Sequence, residues 1–135
     1  MKRLVGGSLL ALVTLVGLSC GGDSTSSGPG QLKVRLTTLN SGADSAIVFT
    51  ITGPPGAVLT GATAGIGMRV FHAPFSGTTT RFAVVGQLTQ GAVLLTIGVP
   101  NVSEFGQYSG TIEGVAQPNY QLRALPGGYA LAITR

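Results

Sequence analysis

Few side chains in the region predicted to fold could carry out acid–base or metal chemistry. Its acids are Asp44, Glu104 and Glu113, and its imidazole is His72. General acid–base catalysis needs ionisable groups that converge, and zinc needs three or four ligands. The three acids lie far apart in the sequence, and His72 has no acid beside it. The sequence therefore predicts no enzyme, no metal site and no cofactor.

Each of these residues has a structural interpretation. Asp44 follows Ser41 and Gly42 in a predicted turn, where a carboxylate typically caps backbone N–H groups. Glu104 is expected in a solvated loop, Glu113 on the polar face of a strand, and His72 near a strand end. A hydrolase built from Ser76, His72 and Asp44 is the weakest alternative, because the sequence has no G-x-S-x-G nucleophile motif.

Two basic residues alternate along one predicted strand, Lys33 and Arg35. They could contact an anionic partner such as lipid headgroups or acidic glycans. Alternatively, they could block pairing at a sheet edge. The remaining cations are scattered, and no recognition helix or stacking aromatics accompany them, so we expect no nucleic-acid partner.

The N-terminus is typical of a secretory signal peptide. Lys2 and Arg3 precede an uncharged run, Leu4 to Leu18, which ends at Ser19-Cys20. From Leu4 to Ser19 a helix would span about 24 Å at 1.5 Å per residue, less than the hydrocarbon core of a bilayer. We therefore predict a signal helix over residues 1–19 rather than a permanent transmembrane helix.

The segment Leu15-Val16-Gly17-Leu18-Ser19-Cys20 resembles the lipobox of bacterial lipoprotein precursors. The family prefers Leu three residues before the Cys and a small residue two before it; here those places hold Gly17 and Leu18. The resemblance implies that Cys20 is lipidated and becomes the first mature residue, anchored by palmitate. Gly21, where Asp would favour the inner membrane, makes the outer membrane or cell surface the preferred location.

Two other outcomes remain open for this segment. Gly17-Leu18-Ser19 also fits ordinary signal cleavage, which would give a secreted or periplasmic protein. A retained anchor is the third reading. In each case residues 20–30 contain no large apolar side chain after the Cys, so they predict a flexible tether of about 17 Å.

Residues 31–135 show the period-two alternation of half-buried antiparallel strands. Turn residues separate the runs, and Gly and Pro interrupt every candidate helix. The prediction is an all-β domain, a single antiparallel β-sandwich (jelly-roll or Ig-like) of about seven to nine strands. The expected core residues are Phe49, Phe71, Phe82, Ile97, Ile112, Tyr129 and Leu131.

The runs Leu32 to Leu36, Ala46 to Thr52 and Gly91 to Val99 resemble cohesin-type domains. Those are jelly-roll sandwiches of cell-surface proteins that bind short partner modules. The resemblance implies the same kind of sandwich here, and a binding role for it.

Charge and surface composition complete the functional expectation. Removal of Lys2 and Arg3 leaves six basic residues against four acidic ones, and the remaining polar surface is rich in Thr, Ser, Gln and Asn. We expect a non-enzymatic, membrane-tethered lipoprotein that acts as a binding or adhesion module toward a protein or glycan. The alternative is a structural subunit of a cell-envelope assembly that pairs through exposed strand edges.

Overall fold

The computed structural model describes residues 27–37, 44–123 and 128–135. The signal segment 1–19, Cys20 and the first part of the tether therefore lie outside the described residues. Across the described ranges, no helix is both long enough and apolar enough to cross a membrane.

Two antiparallel sheets pack face to face, and within the described ranges they contain nine strands. The strands are β1 (Gly30–Leu36), β2 (Ala46–Thr52), β3 (Gly61–Ala64), β4 (Arg69–His72), β5 (Thr79–Val85), β6 (Val93–Val99), β7 (Ser109–Ala116), β8 (Leu122–Arg123) and β9 (Leu131–Thr134). The four-stranded sheet has the order β3-β6-β1-β9, and the five-stranded sheet has the order β4-β5-β2-β7-β8. A 3₁₀ helix, Val102–Gln107, joins β6 to β7.

Alternation along the strands produces the core. In β2 the side chains of Ile47, Phe49 and Ile51 are buried while their neighbours face outward. Phe49 lies opposite Phe82 of β5, and their rings stack at 5.7 Å between centroids. The opposing sheet supplies the aliphatic side of the core, with Leu32, Val34, Leu36, Leu94, Leu95, Ile97 and Val99 all buried.

The predicted all-β sandwich is confirmed. Strands β3 and β8 were not anticipated: β3 has the sequence Gly-Ala-Thr-Ala, without a large apolar side chain, and β8 spans only two residues. The prediction that Phe71 belongs to the core is wrong, because its side chain lies on the outer surface and is 60% exposed.

The two ends of the sandwich are distinguishable by strand direction. Gly30, where β1 begins, pairs with Val99 at the end of β6, and Lys33 pairs with Thr134 at the end of β9. The first described strand therefore begins, and the chain ends, at the same end of the sandwich, which we call the N-terminal end. The turns at 65–68, 86–92 and 117–121 lie at the opposite end.

Candidate binding face

A row of small side chains crosses the outer surface of the five-stranded sheet. Phe71 of β4 pairs with Ala83 of β5, Ala83 pairs with Val48 of β2, and Val48 pairs with Gly114 of β7. Paired residues in neighbouring strands point to the same face. The flanking positions in β2 and β5, Phe49 and Phe82, point into the core, so this row faces away from it.

A large apolar side chain stands at each end of this row. Phe71, at the β4 end, is 60% exposed, and Leu122 of β8 is 76% exposed. A Cβ on Gly114 would lie 3.9 Å from Leu122 Cδ2, so Leu122 borders the row at its far end. We call the set Phe71, Ala83, Val48, Gly114 and Leu122 the transverse lane. It crosses five strands, or about 19 Å at the usual strand spacing.

Polar groups line the lane along one side. Arg81 Nη2 lies 2.7 Å from Glu113 Oε2, and both side chains reach solvent, with 64% and 35% of their surface exposed. Glu113 occupies a bulge, because the register between β2 and β7 shifts at Val48/Phe49. Thr50 and Thr111 are in the same cross-strand row as Arg81. Glu113 therefore lies on the polar face of its strand, as the sequence predicts.

At its Phe71 end the lane broadens into a shallow, open depression of about 300 Å³, which is lined by Phe71, Arg81, Ala83 and Val48 together with His72. His72 ends β4 and is exposed, as expected for a strand-end histidine. Its ring stacks on Phe75 at 4.3 Å, and its Nδ1 donates a hydrogen bond to the carbonyl of Ala73 at 2.8 Å. His72 pairs with the core residue Phe82, and the two rings lie 6.0 Å apart, so the imidazole is on the opposite side of β4 from Phe71.

A buried ion pair lies away from the lane. The carboxylate of Asp44, just before β2, is fully buried and accepts two hydrogen bonds from Arg123 of β8, from Nε at 2.6 Å and from Nη2 at 2.5 Å. The hydroxyl of Tyr129 donates a third bond to the same carboxylate. The sequence predicts that Asp44 caps a turn. In the structure it is instead the centre of a cluster with Arg123 and Tyr129.

Hydrogen bonding and burial shift the pKa values in this cluster. The hydrogen bonds from Arg123 lower the pKa of Asp44 below its ordinary value, against the opposing effect of burial, and the bond from Tyr129 adds to the lowering. Burial, followed by the bond to the Asp44 carboxylate, raises the pKa of Tyr129 to about 12. The cluster holds its charged aspartate and neutral tyrosine over a wide pH range, which suits a structural clasp.

The remaining acids have other surroundings. Glu104 lies in the first turn of the 3₁₀ helix, and its charge adds to burial in raising the pKa of Tyr108. Asp44, Glu104, Glu113 and His72 thus occur on four different elements. In the described parts of the chain, no three His, Cys, Asp or Glu side chains lie close enough to hold a metal ion.

Lys33 and Arg35 share the outer face of the four-stranded sheet, as the alternation predicts. Their strand, β1, lies between β6 and β9, so the alternative interpretation as guards of an edge strand is wrong. Arg35 Nη1 donates to the carbonyl of Gly91 at 3.3 Å, and Lys33 is exposed between Thr96 and Thr134. The proposed anionic contact at this face stays a prediction, as does lipidation of Cys20.

Phe71 and Leu122 were missed as surface residues. The signal for Phe71 was available, because alternation through Arg69-Val70-Phe71-His72 places Phe71 on the same side as the charged Arg69.

Comparison of the chain with protein-family models, with curated proteins and with solved structures finds no match.

Proposed function

We propose that the chain is a non-enzymatic lipoprotein, anchored at the outer membrane or cell surface through Cys20, that binds a ligand in the transverse lane. The observation that carries the binding role is the pair Phe71 and Leu122. Both are large apolar side chains left in solvent at the two ends of a row of small residues. Such a contoured, partly apolar face is typical of an interaction surface.

The position of the chain's N-terminal part supports this arrangement. Gly28 N donates to Asn101 Oδ1 at 3.1 Å, and Val102 N donates to the carbonyl of Gly28 at 2.9 Å. These bonds fix the first described residues to the N-terminal end of the sandwich. The lane lies on a side of the sandwich, so a lipid on Cys20 would leave it accessible.

The anchor is tested by metabolic labelling with palmitate. We expect label in the wild-type chain and none in Cys20→Ala, because the thiol is the acceptor in the proposed modification. Fractionation of the same cells should move Cys20→Ala from the membrane to the soluble fraction. Equal labelling of the two chains would contradict the anchor.

The binding role is tested by photo-crosslinking in intact cells, with benzoylphenylalanine introduced at position 71. Position 66 is the matched control, because Ile66 is a fully exposed apolar residue at the opposite end from the chain's N-terminal part, outside the lane. We expect a discrete adduct from position 71 and none from position 66. Adducts of equal yield from both positions, or none from either, would contradict binding in the lane.

The alternative, a structural subunit of an envelope assembly, has one observation in its favour. Strand β3 lies at the edge of its sheet, and its sequence, Gly61–Ala64, has no charged side chain to discourage pairing. Sedimentation of the full chain in detergent tests it: assembly predicts association that increases with concentration and is lost in Thr63→Lys. A strict monomer would exclude this function.

A further inference from the structure

We propose that the ligand of the transverse lane is an oligosaccharide. This inference rests on the proposed binding function and names its ligand class. It is carried by three features of the lane together: an exposed aromatic ring, a low apolar floor formed by Ala83, Val48 and Gly114, and an exposed pair of opposite charges.

The apolar part of the lane fits one face of a sugar ring. A pyranose has C–H groups on its faces and hydroxyls around its edge, so it packs flat against an aromatic ring. Phe71 presents its ring to solvent beside the open depression of about 300 Å³. Next to it, Ala83 and Gly114 project little or nothing from the sheet, and Val48 between them adds a low apolar surface on which sugar rings can lie.

The polar part of the lane fits the hydroxyls. A hydroxyl both donates and accepts hydrogen bonds, and it is best bound where donors and acceptors stand side by side. Arg81 supplies N–H donors and Glu113 carboxylate acceptors, 2.7 Å apart and both reaching solvent. Thr50 and Thr111 in the same cross-strand row add hydroxyls that can do either.

The lane suits other ligand classes less well. A phosphate or other strong anion would meet the carboxylate of Glu113, which already neutralises Arg81. A stable protein interface needs about 800 Å² from each partner, centred on buried aromatic anchors. Here the large apolar groups stand at the two ends, about 19 Å apart, with small residues between them. This shape favours an elongated ligand whose successive sugar rings each contact one part of the lane.

The test is a glycan array that carries neutral and uronic-acid-containing oligosaccharides of increasing length, probed with the full chain in detergent. Hits are then titrated by calorimetry. We expect affinity to increase with the number of sugar rings. Phe71→Ala should weaken binding about tenfold or more, and Phe71→Tyr should retain it, since the ring face is preserved.

Two further sets of variants locate the site. Arg81→Met and Glu113→Gln should each weaken binding, and because an exposed ion pair contributes little to stability, both should fold like the wild type. Ile66→Ala, which removes an exposed apolar side chain outside the lane, should bind normally. The neutral and acidic arms identify which kind of glycan the lane prefers.

Binding of no oligosaccharide on the array would overturn the proposal, as would binding that Phe71→Ala leaves unchanged. These failures are distinct from failure of the binding function itself. If position 71 crosslinks to a protein in intact cells while the array stays empty, the lane binds a ligand and the ligand is a protein, not a glycan.

Discussion

Asp44 is the residue whose environment differs most from what its type suggests. Its side chain is fully buried, whereas its partner Arg123 keeps 25% of its side chain exposed. A buried carboxylate that loses its partner has no access to water, whereas a partly exposed guanidinium can be hydrated when it loses its own. The two halves of this ion pair should therefore respond unequally to substitution.

We expect Arg123→Met to lower the free energy of unfolding more than Asp44→Asn does. In Arg123→Met the charged carboxylate stays buried after losing both hydrogen bonds from Arg123 and, among the described residues, keeps the one from Tyr129. Urea denaturation of both variants measures the difference. Arg35→Met, on the opposite sheet, is the matched control and should change stability little. Equal losses in the two cluster variants would contradict this account.

Tyr129→Phe isolates the third member of the cluster. It removes one hydrogen bond to a charged acceptor, which is expected to reduce stability by about 1–3 kcal/mol. Urea denaturation measures the loss, and Tyr120→Phe, at an exposed tyrosine, should cause none.

The same cluster predicts how stability depends on pH. The pKa of Asp44 is lower in the folded chain than its ordinary 3.8, so its contribution is present above about 3.8 and is lost as pH falls below that value. The pKa of Tyr129 is raised from 10.0 to about 12, so its contribution is present below pH 10 and is lost as pH rises toward 12. Urea midpoints measured across pH should thus form a plateau with two falling limbs.

Single substitutions assign the two limbs. Asp44→Asn should flatten the acid limb, and it should also weaken the alkaline limb in part, because the Asp44 carboxylate contributes to the raised pKa of Tyr129. Tyr129→Phe should weaken the alkaline limb more, because it removes the titrating group itself. Part of the alkaline limb should remain in Tyr129→Phe, because the pKa of Tyr108 is also raised in the folded chain. Acid sensitivity that is unchanged in Asp44→Asn would assign that limb to other carboxylates.

Sequence reasoning could not have found this cluster. Asp44 and Arg123 are 79 residues apart, and Asp44 and Tyr129 are 85 apart. The residues that neighbour Asp44 in the sequence do not distinguish a capping carboxylate from a buried one. Its burial depends on Arg123 of β8 and on Tyr129, just before β9, which pack against it only in the folded chain. Pairing over such distances is a property of the folded chain.

Among the connections between strands, the turn between β3 and β4 is tightly constrained by two glycines. Gly65 follows β3, and its N–H donates to the carbonyl of Leu94 at 2.9 Å. A Cβ at Gly65 would lie 1.9 Å from the carbonyl oxygen of Val93, which is backbone and cannot rotate away. Two residues on, Gly67 has a φ of +73°, a conformation that favours glycine.

Gly65→Ala should therefore destabilise the fold by about 2 kcal/mol or more, since the strand pair must separate to admit the methyl group. Gly61→Ala is the matched control within β3, because a Cβ there meets no atom within 4 Å. Thermal denaturation of both variants checks the contrast. Similar melting temperatures would show that the edge strand moves freely.

At this scale the sequence was informative wherever large apolar residues alternate. β1, β2, β5 and β6 each carry a clear period-two pattern, and all four form. β3 could not be predicted, because Gly-Ala-Thr-Ala offers no such pattern; it is a strand because β6 supplies a partner from Gly98 to Leu95. In β4, alternation predicts correctly which residues share a face but not which face is inside.

For the whole molecule, the directions of β1 and β9 determine which end of the sandwich would lie nearest to the proposed lipid anchor. The first described residues and Arg135 both lie at the N-terminal end, where the Arg135 guanidinium stands 4.6 Å from the centroid of the Phe105 ring. With the proposed lipid on Cys20, this end would face the membrane, and the turns that contain Ile66 and Tyr120 would face away.

Site-specific fluorophores test this orientation. A dye at position 76, in the β4–β5 connection at the N-terminal end, should be quenched more by a lipid-headgroup quencher than a dye at position 66. The measurement uses the lipidated chain in vesicles. Cys20→Ala, which should not associate with them, is the control, and stronger quenching at position 66 would contradict the orientation.

The placement of the first described residues and of Arg135 at one end of the sandwich has a practical consequence for display. With the proposed lipid on Cys20, a passenger fused after Arg135 would emerge beside the anchor and lie between the domain and the membrane. A short insert in the turn at Ile66 or at the hairpin tip near Tyr120 would be carried to the far side, about seven strand residues or 23 Å away. Under the proposed anchoring, an insert meant to be reached from the side opposite the membrane belongs in those turns rather than after Arg135.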